Sequence, residues 1–230
     1  MDPESILTVM DYEQPRMTRD FTEWWMSRHN IFGATKEGRI YCREGRGLTK
    51  KFYEEGQVML SIMRTYFSNS SVACKLHAGN EPDDAVLMDS VGRVIRRIQI
   101  TFAEDSKSEH LRTKELSRTG SVAGLVKPVV VGRGKNKTVT FPAVEAIDHR
   151  ELVAETLDLI RDRVLKKNRM GYGPNVTLAV GFDDALYDDG EDIISFQKLY
   201  DATAHPFHEL IFAGIKGQIV LPPCLRETAA

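Results

Sequence analysis

The chain has 230 residues, 42% of them hydrophobic and 28% charged. That composition suits one large folded domain, or one domain carrying an insertion, around a proper apolar core. A formal net charge of −2 excludes recruitment of nucleic acid or anionic lipid by bulk charge, so any basic surface must be local. No apolar run approaches the roughly 20 residues that span a bilayer, and the start Met1-Asp2-Pro3-Glu4-Ser5 has none of the regions of a signal peptide. Cys42, Cys74 and Cys224 lack the spacing of a disulfide framework or a zinc knuckle. The expectation is a cytoplasmic protein with no membrane partner.

Residues 1 to about 17 read as a polar lead-in, loose at its end. Thr18 then caps a short helix whose Phe21, Trp24 and Trp25 recur at helical spacing, a pattern that fits core packing better than base stacking. Residues 33–47 read as a loop with a short strand at Arg39-Ile40-Tyr41-Cys42. Its Lys36, Arg39, Arg43 and Arg46 fit a solvated loop better than a phosphate-contacting one. Thr49 to Phe67 is an amphipathic helix with Phe52, Met59, Ile62 and Tyr66 as its apolar stripe. Glu55 falls on that stripe, three after Phe52 and four before Met59. A carboxylate on a buried face is costly unless it is paired or holds a metal; the alternative is that it lies at the stripe's edge and reaches water.

Val72 to Ala78 predicts a strand. Next come Glu81-Pro82-Asp83-Asp84-Ala85-Val86-Leu87-Met88 and Val94-Ile95-Arg96-Arg97-Ile98-Gln99-Ile100-Thr101-Phe102, joined through Ser90-Val91-Gly92-Arg93, which predict a β-hairpin. The period of two puts Ile98, Ile100 and Phe102 on one face and Arg97, Gln99 and Thr101 on the other. Residues 104–120 are densely charged. Leu125 to Val131 and Lys137 to Phe141 predict an inserted β-ribbon around Gly132-Arg133-Gly134-Lys135-Asn136. Its charge by itself fits a solvated turn somewhat better than a basic finger on a nucleic-acid backbone.

Asp148 with Glu151 is a capping pattern that opens a helix through Lys167, with Leu152, Val153, Leu157, Ile160 and Val164 inside. Asn175 to Phe182 alternates as a strand. The acidic run from Asp183 to Asp192 lacks the glycine and terminal glutamate of a calcium loop and reads as a solvated loop capping a helix from Ile193 to Ala204. Phe207 to Ala213 and Gly217 to Leu221 form a last strand pair, and Pro222-Pro223 ends the fold. The organisation is an N-terminal helix-and-loop extension over 1–48, an α/β core over 49–221 with a ribbon at about 120–142, and a tail over 222–230.

The order helix, three strands, helix, strand resembles the PD-(D/E)xK, or restriction-endonuclease-like, nuclease superfamily. Pro82-Asp83-Asp84-Ala85-Val86-Leu87 matches the family's Asp-bearing strand, Gln99-Ile100-Thr101 stands where its acid-x-Lys belongs, and Glu55 stands where many members carry a helix Glu. The resemblance covers residues 49 to 103 well and 148 to 182 in topology. It implies a central mixed sheet flanked by helices and a divalent-cation-dependent nuclease cutting DNA phosphodiesters with Mg2+ or Mn2+. Asp84, Gln99 and Glu55 would hold the cation with the Ile100 carbonyl, and Asp83 or Glu81 would be spare ligands. Asp84, Gln99, Thr101 and Glu55 would form the catalytic set. Lys127, Arg133, Lys135 and Lys137 would hold the DNA backbone, and a homodimer would match many relatives.

Two departures carry consequences. Gln99 replaces the family's acid, which lowers the site's charge and predicts weaker cation binding. Thr101 replaces its lysine, so a cation must come from Arg97, Lys166 or Lys167, or the site is inactive. The alternatives are therefore a non-catalytic DNA-binding or assembly protein on the same fold, and an unrelated α/β protein-interaction domain. Other chemistries lack their residues: there is no HExxH among the six histidines, no GxxxxGK[ST] loop, and Gly120-Ser121-Val122-Ala123-Gly124 misses the nucleophile-elbow spacing.

Overall fold

A computed structural model describes residues 2–122, 127–132, 138–142, 148–185, 187, 190–217, 219, 221 and 224–225. In chain order its elements are α1 (Val9–Tyr12), β1 (Arg16–Met17), α2 (Thr18–Ala34), α3 (Lys36–Arg43), α4 (Thr49–Lys51), a π turn (Phe52–Gly56) and α5 (Gln57–Tyr66). Then come β2 (Ala73–Leu76), β3 (Ala85–Met88), β4 (Val94–Phe102), α6 (Ser106–Thr119), β5 (Val129–Val131), β6 (Thr138–Thr140), α7 (His149–Arg169), β7 (Val176–Phe182), α8 (Glu191–Ala202), β8 (Glu209–Gly214) and β9 (Cys224–Leu225). One mixed sheet runs β1-β2-β3-β4-β7-β8-β9. Its first four strands are antiparallel, β4-β7-β8 are parallel, and β9 returns antiparallel to β8.

The composition of the strands follows from what covers them. β7 and β8 are buried along nearly their whole length, as parallel strands with helices on both faces must be. One face packs Ile98, Ile100, Ala179 and Ile211 against α2 and α5, and the other packs Leu178, Val180, Phe182, Leu210 and Phe212 against α7 and α8. Alternation along β4 therefore sends Gln99 and Thr101 to the α7 side. Gly181 lets α5 approach the sheet closely: a Cβ there would collide with the Val58 side chain and the Phe102 ring. Between β3 and β4, Gly92 takes φ 82°, and the Asp89 side chain accepts from the Val91 and Arg93 amides.

The mixed sheet flanked by helices agrees with the expected class. The hairpin, the long helix after Asp148 and the strand at 176–182 stand where the pattern puts them, and the Asp148 side chain caps α7 by accepting from the Arg150 amide. β5 and β6 form their own two-stranded ribbon, outside the main sheet.

Four expectations are corrected. The lead-in is not loose: Ile6, Leu7 and Tyr12 are buried in the core, and Arg16 is buried against Asp11. The helix at Thr18 is long, running to Ala34. The strand expected at Arg39–Cys42 is helix α3, because the Thr35 hydroxyl caps it at the Gly38 amide and Tyr41 stacks on Phe32; the three-residue run Ile40-Tyr41-Cys42 without a sheet partner has nothing to oppose that cap. The strand partner of β8 is β9, beyond the two prolines rather than at 217–221.

Candidate metal centre

The site begins where the sheet splits. Ala85 is the last β3 residue to pair with β4, at Ile98, yet β4 continues along β7 to Phe102. Among the described residues, no strand pairs with the β3-side edge of β4 from Ile100 onward. Asp84 fills the break. Its amide donates to the Ile98 carbonyl (3.0 Å), and its Oδ2 accepts from the Ile100 amide (2.7 Å) and from the Gln99 side-chain Nε2. A carboxylate thus satisfies the first backbone donor that the departing strand leaves behind. His77 braces the same turn: its amide donates to the Asp84 carbonyl, and its Nδ1 lies 2.9 Å from the Asp83 carbonyl. A carbonyl only accepts, so that ring nitrogen carries the proton.

Glu55 arrives from the other wall. The helix that starts at Thr49 widens to a π turn over Phe52–Gly56, a distortion often met at functional sites. Trp25 donates its indole N–H to the Phe52 carbonyl within that turn. Glu55 does not reach out to water: its side chain is 16% exposed. The Tyr12 hydroxyl donates to its Oε2 at 3.4 Å, and the Lys51 ammonium lies 3.8 Å from its Oε1. Lys51 also donates to the His77 and Gly79 carbonyls. Burial, and then the charge of Asp84, push the Glu55 carboxyl up to about 8. Burial and a second negative charge nearby both disfavour the ionised form.

Beside the free edge of β4 lies a cleft of about 820 Å³. Its floor is Glu55, Ile100, Thr101 and Phe102, and its walls include Lys50, Glu54, Glu104, His110 and Arg163. Burial raises Glu104, and the charges of Glu54 and Glu109 add to that. The charge of Arg163 opposes part of this, and its guanidinium donates to the Glu104 backbone carbonyl at 2.7 Å.

Asp84 and Gln99 are hydrogen-bonded, Glu55 feels the charge of Asp84, and Glu55 and Thr101 both line the cleft. The Gln99 amide presents its nitrogen to Asp84, so its contact is an orienting one. Asp83 is 4% exposed and accepts from Arg97 at 2.7 Å, an ion pair that occupies both the spare ligand and one candidate cation. Lys127 pairs with Glu155 at 2.6 Å; Arg133, Lys135 and Lys137 lie outside the described residues. Sequence reasoning missed Tyr12, Lys51 and His77. None had a periodic or motif signal, and each matters through a partner remote in sequence.

The donor set suits a hard cation. It consists of oxygens, and two carboxylates leave room for the several waters that Mg2+ keeps. Among the described residues no three His, Cys, Asp or Glu side chains converge on one point, so a cation here would rest on the two carboxylates and backbone or amide oxygen. Comparison with known families, curated proteins and solved structures finds no match.

Proposed function

We propose that the chain is a restriction-endonuclease-like, divalent-cation-dependent nuclease acting on DNA. One observation carries this reading: Asp84, held at the strand break by the Ile100 amide, lies within electrostatic reach of Glu55 from the helical π turn, which lines a cleft along β4. A bound cation would acidify a water and neutralise charge on the phosphate oxygens. Asp84 and Glu55 would hold it. Gln99 and the Ile100 amide keep the Asp84 carboxylate in one orientation, and Tyr12 does the same for Glu55. In hydrolysis the water oxygen forms a bond to phosphorus, the bond to the leaving sugar oxygen breaks, and that oxygen leaves with a proton from solvent. Cleavage of duplex, single-stranded or branched DNA in Mg2+ or Mn2+, abolished by Asp84→Asn, is the expected result. No cleavage of any of the three by intact protein overturns it.

A second reading is a non-catalytic DNA-binding or assembly protein on this fold. Neutral Thr101 and the many glutamates of the cleft favour it. It predicts DNA binding that is steep in salt, indifferent to the cation and unchanged by Asp84→Asn.

A further inference from the structure

Backbone hydrogen bonds along β4 alternate in direction. The Ala103 amide donates to Gly181 at the end of β7. On the opposite side the Ile98 carbonyl accepts from the Asp84 amide, and the Ile100 amide donates to the Asp84 carboxylate. By the same alternation the Ile100 carbonyl and the Phe102 amide face the Asp84 side. Among the described residues no strand pairs with them there, and Ile100, Thr101 and Phe102 line the cleft of about 820 Å³. An extended backbone laid opposite Thr101, in either direction, offers an N–H to the Ile100 carbonyl and a carbonyl to the Phe102 amide. Unpaired strand groups of this kind are a template for another chain.

The walls of the cleft select the sign of what enters. Its lining residues include five glutamates against three lysine or arginine side chains. Of those three, Lys50 lies 3.8 Å from the Glu54 carboxylate, and Arg163 donates to the Glu104 backbone carbonyl. The charges of Glu54 and Glu109 add to burial in raising the Glu104 carboxyl. A chain of phosphates would add to that repulsion, whereas a lysine or arginine beside Thr101 would relieve it.

We propose that the β4 edge in this cleft binds a basic, extended segment of a partner protein by strand addition. Main-chain hydrogen bonds to Ile100 and Phe102 supply the affinity and the register, and the glutamates choose lysine or arginine side chains. The inference stands apart from the nuclease reading, since it needs neither a cation nor DNA. An occupied edge also fills the space beside Glu55, which lines the same cleft.

The probe is a fluorescein-labelled peptide of about six residues, roughly one strand, with valine and lysine alternating. Fluorescence anisotropy follows its binding to the full chain without added metal. The peptide binds. Methylating its backbone nitrogens, which leaves its charges in place, weakens binding about tenfold. Replacing its lysines with glutamate abolishes binding. The double variant Glu54→Gln/Glu104→Gln binds the lysine peptide about fivefold more weakly at low salt, with a smaller difference at high salt. Failure of the wild type to bind the lysine peptide overturns the proposal. Equal affinity for the methylated peptide overturns it too, because charge alone would then explain the binding. Unchanged affinity in the double variant, with its melting temperature kept, places the peptide elsewhere and has the same consequence. Should that variant fail to fold, the methylated peptide decides the matter on wild type. Duplex DNA that binds where the peptide does not, and binds more tightly to the double variant, marks the cleft as a nucleic-acid channel and overturns the proposal. Peptide binding by a chain that cleaves no DNA removes the nuclease reading alone.

Discussion

At the scale of single residues, Glu55 is the group whose chemistry depends most on its setting. Its carboxyl sits near 8 in the folded protein, against an ordinary value of about 4.5. Between those two values the unfolded chain has lost the proton and the folded chain keeps it. The folded state then binds more protons, and stability falls as pH rises through that window. Glu55→Gln removes the cost. The variant is expected to be more stable than wild type at pH 8.5, by on the order of 3 kcal/mol, with the gap closing near pH 4.5; denaturant titrations at the two pH values check it. A cation stabilises the charged form, so Mn2+ should raise the melting temperature of wild type more at pH 8 than at pH 5.5, and much less in Asp84→Asn. Equal Mn2+ shifts at both pH values would remove the link between the cation and these carboxylates.

At the scale of elements, the site depends on how closely α5 and its π turn press on the sheet. Gly181 and Val58 set that distance. Gly181→Ala overpacks the contact and is expected to cost about 1–3 kcal/mol. Val58→Ala on the same background should recover part of the loss, because it removes the methyls that collide; a strictly additive pair would refute the close-approach argument. The elements themselves were legible where burial is periodic. The β3–β4 hairpin, β7 and the stripe of Phe52, Met59 and Ile62 announce themselves through alternation or helical spacing. α3 did not, since Ile40-Tyr41-Cys42 is β-prone and its run is too short to show a helical period, while the Thr35 cap is seen only in the fold. The π turn has no residue signature, although it sets where Glu55 points.

At the scale of the whole molecule, the N-terminal segment is part of the core and of the site. Ile6, Leu7 and Tyr12 are buried, Glu13 accepts from the Ala78 amide at 2.9 Å, and Tyr12 reaches Glu55. Deleting residues 2–17 is expected to lower stability by on the order of 5 kcal/mol, from the burial of such side chains. Limited proteolysis and the melting temperature check this; a truncated chain as stable as the full one would restore the loose lead-in. Among the described residues no helix is long and apolar enough to cross a bilayer.

The sequence by itself determined the mixed α/β class, the hairpin with Asp84 opposite Gln99, and Glu55 as a carboxylate on an apolar stripe. Those features follow from spacing along one segment, and burial imposes such spacing locally. Only the tertiary structure decided what each charge meets. Asp83 goes to Arg97, Glu55 goes inward toward Tyr12 and Lys51, and Asp84 goes to the Gln99 amide and the Ile100 backbone. A side chain's cost and chemistry depend on the solvent it loses and the partners it gains, and both are set by segments distant in sequence.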